Sequence, residues 1–194
     1  MDATTGAGLA GGGSSGAEES DEMLAIEAAR GRKEALAKLF ERHAGPLYDF
    51  IARMIGDASY AEDIVHDIFV ALPSKAGSFD GRSKFSTWLY AVAVNAARMH
   101  LRRKVARREL PLDAATGRSA GGGDPAAEAE KRETIRKVRE AITKLTEAER
   151  EAFLLYWRGG LGYEDIARVL DINVTAAKVR VHRAHVRIAD LLGT

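Results

Sequence analysis

The chain has 194 residues, 46% of them hydrophobic, with 29 basic and 28 acidic side chains and a formal net charge of +1. That content excludes wholesale disorder and leaves room for two small domains, while a charge so near zero names no partner by itself. No cysteine is present, which excludes a disulfide framework, a thiolate zinc site and a cysteine nucleophile.

Residues 1–20 hold Gly6, Gly8, Gly11, Gly12, Gly13 and Gly16 among small polar residues, a composition that cannot repay its ordering entropy, so a disordered tail is expected. The start lacks the basic and apolar regions of a signal peptide, and no apolar run approaches the roughly 18 residues of a membrane span. A cytosolic protein without membrane insertion is expected. The charges are unevenly spread: six acids precede residue 31 against Arg30 alone, and basic residues gather at 98–108 and 178–187. Such segregation marks the surfaces on which partners are sought.

From Asp21 the pattern is helical. Leu24, Leu36, Leu39, Phe40, Leu47, Phe50, Ile51 and Met54 recur in a helical pattern. Gly45-Pro46 is expected to interrupt or bend this run and Gly56-Asp57 to end it. In the next helix Ile64, Val65, Ile68, Phe69 and Leu72 form one face, Asp63, His66, Asp67 and Val70 the other, and Pro73 is expected to terminate it. The Asp63, His66 and Asp67 stripe fits a solvated face, a docking face for a basic partner helix, or a metal site lacking a second ligand cluster.

Residues 79–108 carry an aromatic start and a cationic end. Phe85, Trp88, Leu89, Val92, Ala96 and Met99 predict one apolar face, and Trp88, Ala91, Asn95, Arg98 and Arg102 share an outward stripe. Trp88 fits either face. Five cations follow in Arg102, Arg103, Lys104, Arg107 and Arg108, suiting a strand with stacked bases and a phosphate backbone. The Gly-rich and Pro-containing stretch 109–130 reads as a linker.

Helical pattern resumes near Ala126, with Ile135, Val138, Ile142 and Leu145 on one face, and Thr146 to Glu149 is a capping box for the next helix, closed by Gly159-Gly160. Tyr163 to Leu170, the turn Asp171-Ile172-Asn173 and a last helix capped by Asn173 read as a helix-turn-helix. Ala177, Val181, Ala184, Ile188 and Leu191 should be buried in that last helix, with Lys178, His182 and His185 on one flank and Arg180, Arg183 and Arg187 on the other. A helix start flanked by cations is the arrangement that enters a DNA major groove. The spacing of His182 and His185 as a metal pair is too common to weigh. There is no Gly-rich phosphate loop, no nucleophile elbow, no HExxH and no paired acid and base, so no enzyme, catalytic residue, cofactor or metal is expected.

Taken together, AEDIVHDIF, FDGRSKFSTWLYAVAVNAARMHLRR and LTEAEREAFLLYWRGGLGYEDIARVLDINVTAAKVRVHRA resemble, in this order, three signatures of bacterial sigma factors of the extracytoplasmic-function group. The resemblance implies an all-α protein of two small helical domains joined by a flexible linker. Residues 21–108 would dock on core RNA polymerase and melt and read the minus-ten element, and residues 131–194 would read the minus-thirty-five element through the helix-turn-helix. It assigns Asp63, His66 and Asp67 to polymerase docking. Asp80, Ser86, Thr87, Trp88, Asn95, Arg98, Arg102 and Arg103 fall to the melted minus-ten strand, where an unstacked base is read in a pocket. Thr175, Lys178, Val179, Arg180, His182, Arg183 and Arg187 fall to the minus-thirty-five duplex. Implied partners are core RNA polymerase, promoter DNA and an anti-sigma factor.

The chain departs from the family's usual residues at Asp171 for Gly, Thr175-Ala176-Ala177 for Gly-Thr-Val, Val179 for Ser and Met99 for Asp. A stand-alone helix-turn-helix regulator of duplex DNA is the alternative binding protein, and a hydrolase using a metal at Asp63, His66 and Asp67 the alternative enzyme.

Overall fold

The computed structural model describes residues 19–76, 79, 81, 83–106 and 125–193. Their regular structure is helical: α1 Asp21–Ala29, α2 Lys33–Ile55, α3 Ala58–Lys75, α4 Phe85–Ala106, α5 Pro125–Thr143, α6 Glu147–Trp157, α7 Tyr163–Leu170 and α8 Val174–Leu192. Residues 1–18 of the expected tail, Arg107 and Arg108 of the basic run, and 109–124 of the expected linker lie outside the described residues. Helix α5 begins inside the linker predicted for 109–130, close to the renewed helical pattern at Ala126.

Helices α1 to α4 form the first bundle. Ser20 starts α1 by accepting the Met23 N–H at 3.3 Å, and Gly31, at φ 85°, separates α1 from α2 in a conformation that costs glycine little. The break expected at Gly45-Pro46 does not occur. Helix α2 runs through both residues, which are exposed, while buried Leu39 and Leu47 on either side hold the helix to the core. Pro73 likewise does not terminate α3, which continues to Lys75. One missing N–H near a helix end is offset by the burial of Phe69, Leu72 and Ala76. Asp57 caps α3 through its side chain, after Gly56 has closed α2 at φ 71°.

The expected apolar face of α4 is rotated. Phe85, Leu89, Tyr90, Ala93, Val94 and Ala97 are buried, Trp88, Val92 and Ala96 are half-buried, and Met99 is 44% exposed. The cause is a second neighbour: α4 lies against α2 and α3 and also against α7 of the other bundle. A helix with partners on two sides buries a wider arc than a single stripe predicts.

Helices α5 to α8 form the second bundle around Leu154, Leu155, Ile166, Val181 and Ala184. Thr146 and Glu149 complete the capping box that the sequence predicts. Gly159 is required at the end of α6, because a Cβ there would lie 2.6 Å from the Leu155 carbonyl oxygen. In the turn of the helix-turn-helix, Asp171 sits at φ 54°, ψ 53°. Aspartate tolerates this left-handed conformation better than most residues, so the turn forms without glycine. Ala177, Val181, Ala184 and Ile188 are buried as expected, but Leu191 is exposed and the partly buried Leu192 takes its place against the core. The two bundles meet along α2 and α4, which face α5, α6 and α7.

Candidate polymerase and DNA interfaces

On α3, Asp63, His66 and Asp67 are exposed together, one helical turn apart, with Val70 exposed at the end of the same face. The opposite face of α3, carrying Val65, Ile68, Phe69 and Leu72, is anchored in the core, so the acidic stripe is presented on a rigid support. Asp63 and Asp67 also line a cleft of about 340 Å³ between α3 and α4, whose far wall holds Met99, Arg103 and Lys104. Lys75 of α3 lines the same wall as the two acids, so the cleft carries both signs of charge. Among the described residues, no group of three or more His, Asp or Glu side chains is placed to hold a metal.

The start of α4 is fixed by aromatic packing and one carboxylate. Phe85 and Trp88 lie 5.8 Å apart by ring centroid, Phe79 is 5.9 Å from Phe85 and 6.0 Å from Trp88, and the edge of His43 meets Phe85 at 5.5 Å. Glu22, from α1, accepts the Phe85 N–H at 3.0 Å, a bond that holds its carboxyl below the usual carboxylate range. Of the residues assigned to the minus-ten strand, Asp80 lies outside the described residues. Ser86 and Trp88 are half-buried, and Thr87 is only 2% exposed, turned toward the core. Asn95, Arg102 and Arg103 are exposed along α4, whereas Lys104, from the same basic run, is drawn 3.7 Å from Asp57 at the cap of α3.

Arg98 is the exception on that stripe. Its Nε and Nη2 donate to the two carboxylate oxygens of Glu151, each at 2.6 Å, and Glu151, on α6, is 2% exposed. This bidentate bond raises the Arg98 pKa further and ties α4 to the second bundle. Three further contacts follow the same seam: Arg158 to Asp49 at 3.1 Å, the Tyr90 hydroxyl to the Arg158 carbonyl at 3.4 Å, and the Arg150 guanidinium to the Met54 carbonyl at 3.5 Å. None of these partners was expected from sequence. A signal for Glu151 was available: it falls with Ala148, Ala152 and Leu155 at steps of three and four, and a carboxylate on an apolar stripe needs a cation.

In α8, Thr175, Lys178, Val179, His182, Arg183 and Arg187 are exposed and Arg180 is half-buried. Arg187 is paired with Glu149 at 3.0 Å, and the Lys178 ammonium lies 5.8 Å from the centre of the Tyr163 ring. His185 packs its ring edge against Phe153 at 5.2 Å, which makes it part of the bundle and not of a metal pair with His182. Asn173 accepts the Ala176 N–H at 2.7 Å, fixing the first turn of α8 beneath Thr175 and Lys178.

A helix-turn-helix with a cationic second helix, joined to a helical bundle bearing an acidic face and a separate cationic helix, defines a DNA-binding protein with more than one contact surface. Residues 39–107 match Sigma-70 region 2 and residues 135–193 match Sigma-70, region 4. The chain is 34% identical over 186 residues to the RNA polymerase sigma-H factor of Pseudomonas aeruginosa, covering 90% of this chain and 95% of that one. It is 32% identical over 178 residues to the ECF RNA polymerase sigma factor SigM of Mycobacterium tuberculosis strain H37Rv, covering 91% and 86%. Among solved structures, CnrH in complex with the cytosolic domain of CnrY superimposes with a TM-score of 0.67 at 27% identity, covering 90% of this chain and 98% of that one. The chain belongs to the sigma-70 family of RNA polymerase sigma factors, in its extracytoplasmic-function group. Its function is to bind core RNA polymerase and direct it to promoters, and the stand-alone regulator is not favoured.

Proposed function

We propose that the two bundles divide promoter recognition, with residues 21–108 docking on polymerase and holding the melted minus-ten strand and residues 131–194 anchoring the minus-thirty-five duplex. Asp63, His66 and Asp67 would meet a basic helical surface of the polymerase, where rim charges set orientation and on-rate more than affinity. Asn95 carries the strand-reading proposal. It is an exposed amide on a helix whose opposite side is packed, about two turns before exposed Arg102 and Arg103. Those two hold phosphates, Asp80, Ser86 and Trp88 border the base, and Thr87 shapes the pocket from behind. Arg98 joins the strand contacts once it is released from Glu151. In α8, Thr175, Lys178, Val179 and Arg183 face base edges, while Arg180, His182 and Arg187 position the phosphates. The protein acts by binding, in the cytoplasm, where its relatives' polymerase is found; no helix among the described residues is long and apolar enough to cross a membrane. Since CnrH is seen with the cytosolic domain of CnrY, an anti-sigma protein covering exposed faces of this chain is part of the reading.

The test is Asn95→Ala in reconstituted polymerase, scored by transcription over a promoter library. Promoter opening should fall with core binding intact. Unchanged opening and unchanged minus-ten preference would remove Asn95 from the strand contacts.

A further inference from the structure

We propose that Glu151 is an intramolecular competitor for the minus-ten strand: in the free protein it occupies Arg98 and latches the second bundle onto the strand-holding helix, so that DNA contact and bundle contact exclude each other. The inference rests on the reading of α4 as the strand-holding helix. What it adds is the identity of the group that occupies that helix before polymerase does.

Three observations carry it. The first is chemical: a carboxylate presents to a guanidinium the same planar, two-oxygen, anionic acceptor that a phosphate does, and Arg98 meets Glu151 with both nitrogens at 2.6 Å. A guanidinium whose Nε and Nη2 are taken in this way cannot offer the same fork to a phosphate. The second is burial. Glu151 is 2% exposed, so its charge has little water to turn to and depends on Arg98. Closure is therefore favoured as long as no other surface compensates both charges. The third is that the latch is seated in a seam, with Arg158 on Asp49 at 3.1 Å and Arg150 on the Met54 carbonyl at 3.5 Å. α7, the first helix of the helix-turn-helix, lies against α4 itself. Pulling Arg98 to a DNA strand thus requires the bundles to part.

The bundles exchange one anionic partner of Arg98 for another, and the coupling between bundle closure and strand binding is reciprocal. Closed protein binds single-stranded DNA weakly, and bound strand opens the protein. Weakening the latch should raise strand affinity by a factor in the range of about 5- to 150-fold that is usual for coupling between two sites.

The chain has no cysteine, so dyes can be placed through Glu34→Cys on α2 and Asp190→Cys on α8, both exposed. The test compares energy transfer in the free full-length chain with and without Glu151→Gln, a change that keeps shape and removes charge. It also measures binding of a 12-nucleotide single-stranded DNA of mixed sequence. Glu151→Gln should lower the transfer and tighten strand binding at least fivefold, while leaving promoter opening by the assembled holoenzyme unchanged. If Glu151→Gln does not fold, Asp49→Asn, which loosens the exposed Arg158 contact of the same seam, must lower the transfer in its place. Arg98→Ala, assayed in holoenzyme, separates the two claims. Impaired opening with Arg98→Ala but no change in transfer or strand binding with Glu151→Gln refutes the latch and leaves the strand-holding role standing. Normal opening with Arg98→Ala overturns the role assigned to Arg98, and the competition with it.

Discussion

Replacing Asn173 by alanine isolates the part of minus-thirty-five recognition that comes from holding the first turn of α8. The Asn173 side-chain oxygen accepts the Ala176 N–H at 2.7 Å, and the backbone carbonyl of Asn173 accepts the Ala177 N–H at 3.1 Å. Alanine keeps the second bond and loses the first, at a cost of about 1 kcal/mol for an asparagine cap. The helix as a whole should survive, because Ala177, Val181, Ala184 and Ile188 remain buried. The loss falls on Val174, Thr175 and Ala176, which have no such anchor and fray. At RT of roughly 0.6 kcal/mol, about 1 kcal/mol shifts the ratio of ordered to frayed turn by about fivefold. Because Thr175 and Lys178 depend on it, occupancy of the minus-thirty-five element should drop, by at most that factor. Transcription from promoters with intact and with scrambled minus-thirty-five elements checks this: the gap between them should narrow for Asn173→Ala and reopen for Asn173→Ser, which restores an acceptor. If Asn173→Ala leaves both the thermal midpoint and the gap untouched, the cap does not order the reading turn.

Gly159→Ala should lower the thermal midpoint by several degrees, since the added Cβ meets the Leu155 carbonyl at 2.6 Å and forcing a backbone shift costs about 1–3 kcal/mol. Gly162→Ala, with open space around it and an ordinary φ of −70°, is the control and should change little. Acid should loosen both bundles. The Asp21 carboxyl is pushed up by burial but pulled further down by hydrogen bonds from Arg42 and His43. In Glu22 the Phe85 N–H, and in Glu149 the Thr146 groups acting against burial, hold the carboxyl below its ordinary range. A carboxyl with a lowered folded pKa contributes stability that is fully present above its unfolded value, near 4, and is lost as pH falls through the folded value. Urea unfolding should therefore show stability level from about pH 7 to 5 and falling below about pH 4, and a flat profile down to pH 3 would contradict these pairings.

What could be read from the chain was whatever depends on one helix and its ends. The capping box at Thr146 and Glu149, the Asn173 cap, the limits of α7 and most of the buried face of α8 follow from local rules, and the buried residues Ala177, Val181, Ala184 and Ile188 of α8 fall on one stripe. The errors have a common origin in tertiary contact. The stripe through Phe85, Leu89 and Val92 predicts Met99 buried as if α4 had one partner, whereas α4 also lies against α7 and buries Tyr90, Val94 and Ala97 as well. Gly45-Pro46 predicts an interruption or a bend and Pro73 a stop because their local cost is real, but buried neighbours outweigh one missing N–H and both helices run on. Asp171 looked like a departure from a glycine, and the chain retains the left-handed turn with the residue it has. Arg98 is expected on an outward, strand-facing stripe, and it is half-buried with its guanidinium on Glu151. Its partner, Glu151, lies 53 residues away in sequence, and no period connects the two.

The compact arrangement and the promoter impose incompatible distances on the same chain. Elements centred at minus ten and minus thirty-five are about 25 base pairs apart, roughly 85 Å along B-form DNA at 3.4 Å per pair. Helix α2, with its 23 residues, is only about 35 Å long, and α8, with 19, about 29 Å. With α4 against α7, one protein cannot meet both elements of a straight duplex. The 18 residues 107–124 can span at most about 65 Å. Parting the bundles therefore brings both elements within reach only if this connection is stretched close to its limit. A chain so stretched has a low effective concentration at the second site, so one bound element helps the other little when the protein is alone. On the proposed reading, polymerase removes that penalty by holding both bundles in place, with the acidic face of α3 as one of its grips. The same contact compensates for the loss of the seam between α4 and α6. Promoter selectivity in this chain is thus a property of the assembled enzyme, and the Arg98 to Glu151 pair helps to keep the free subunit from acting as a DNA-binding protein in its own right.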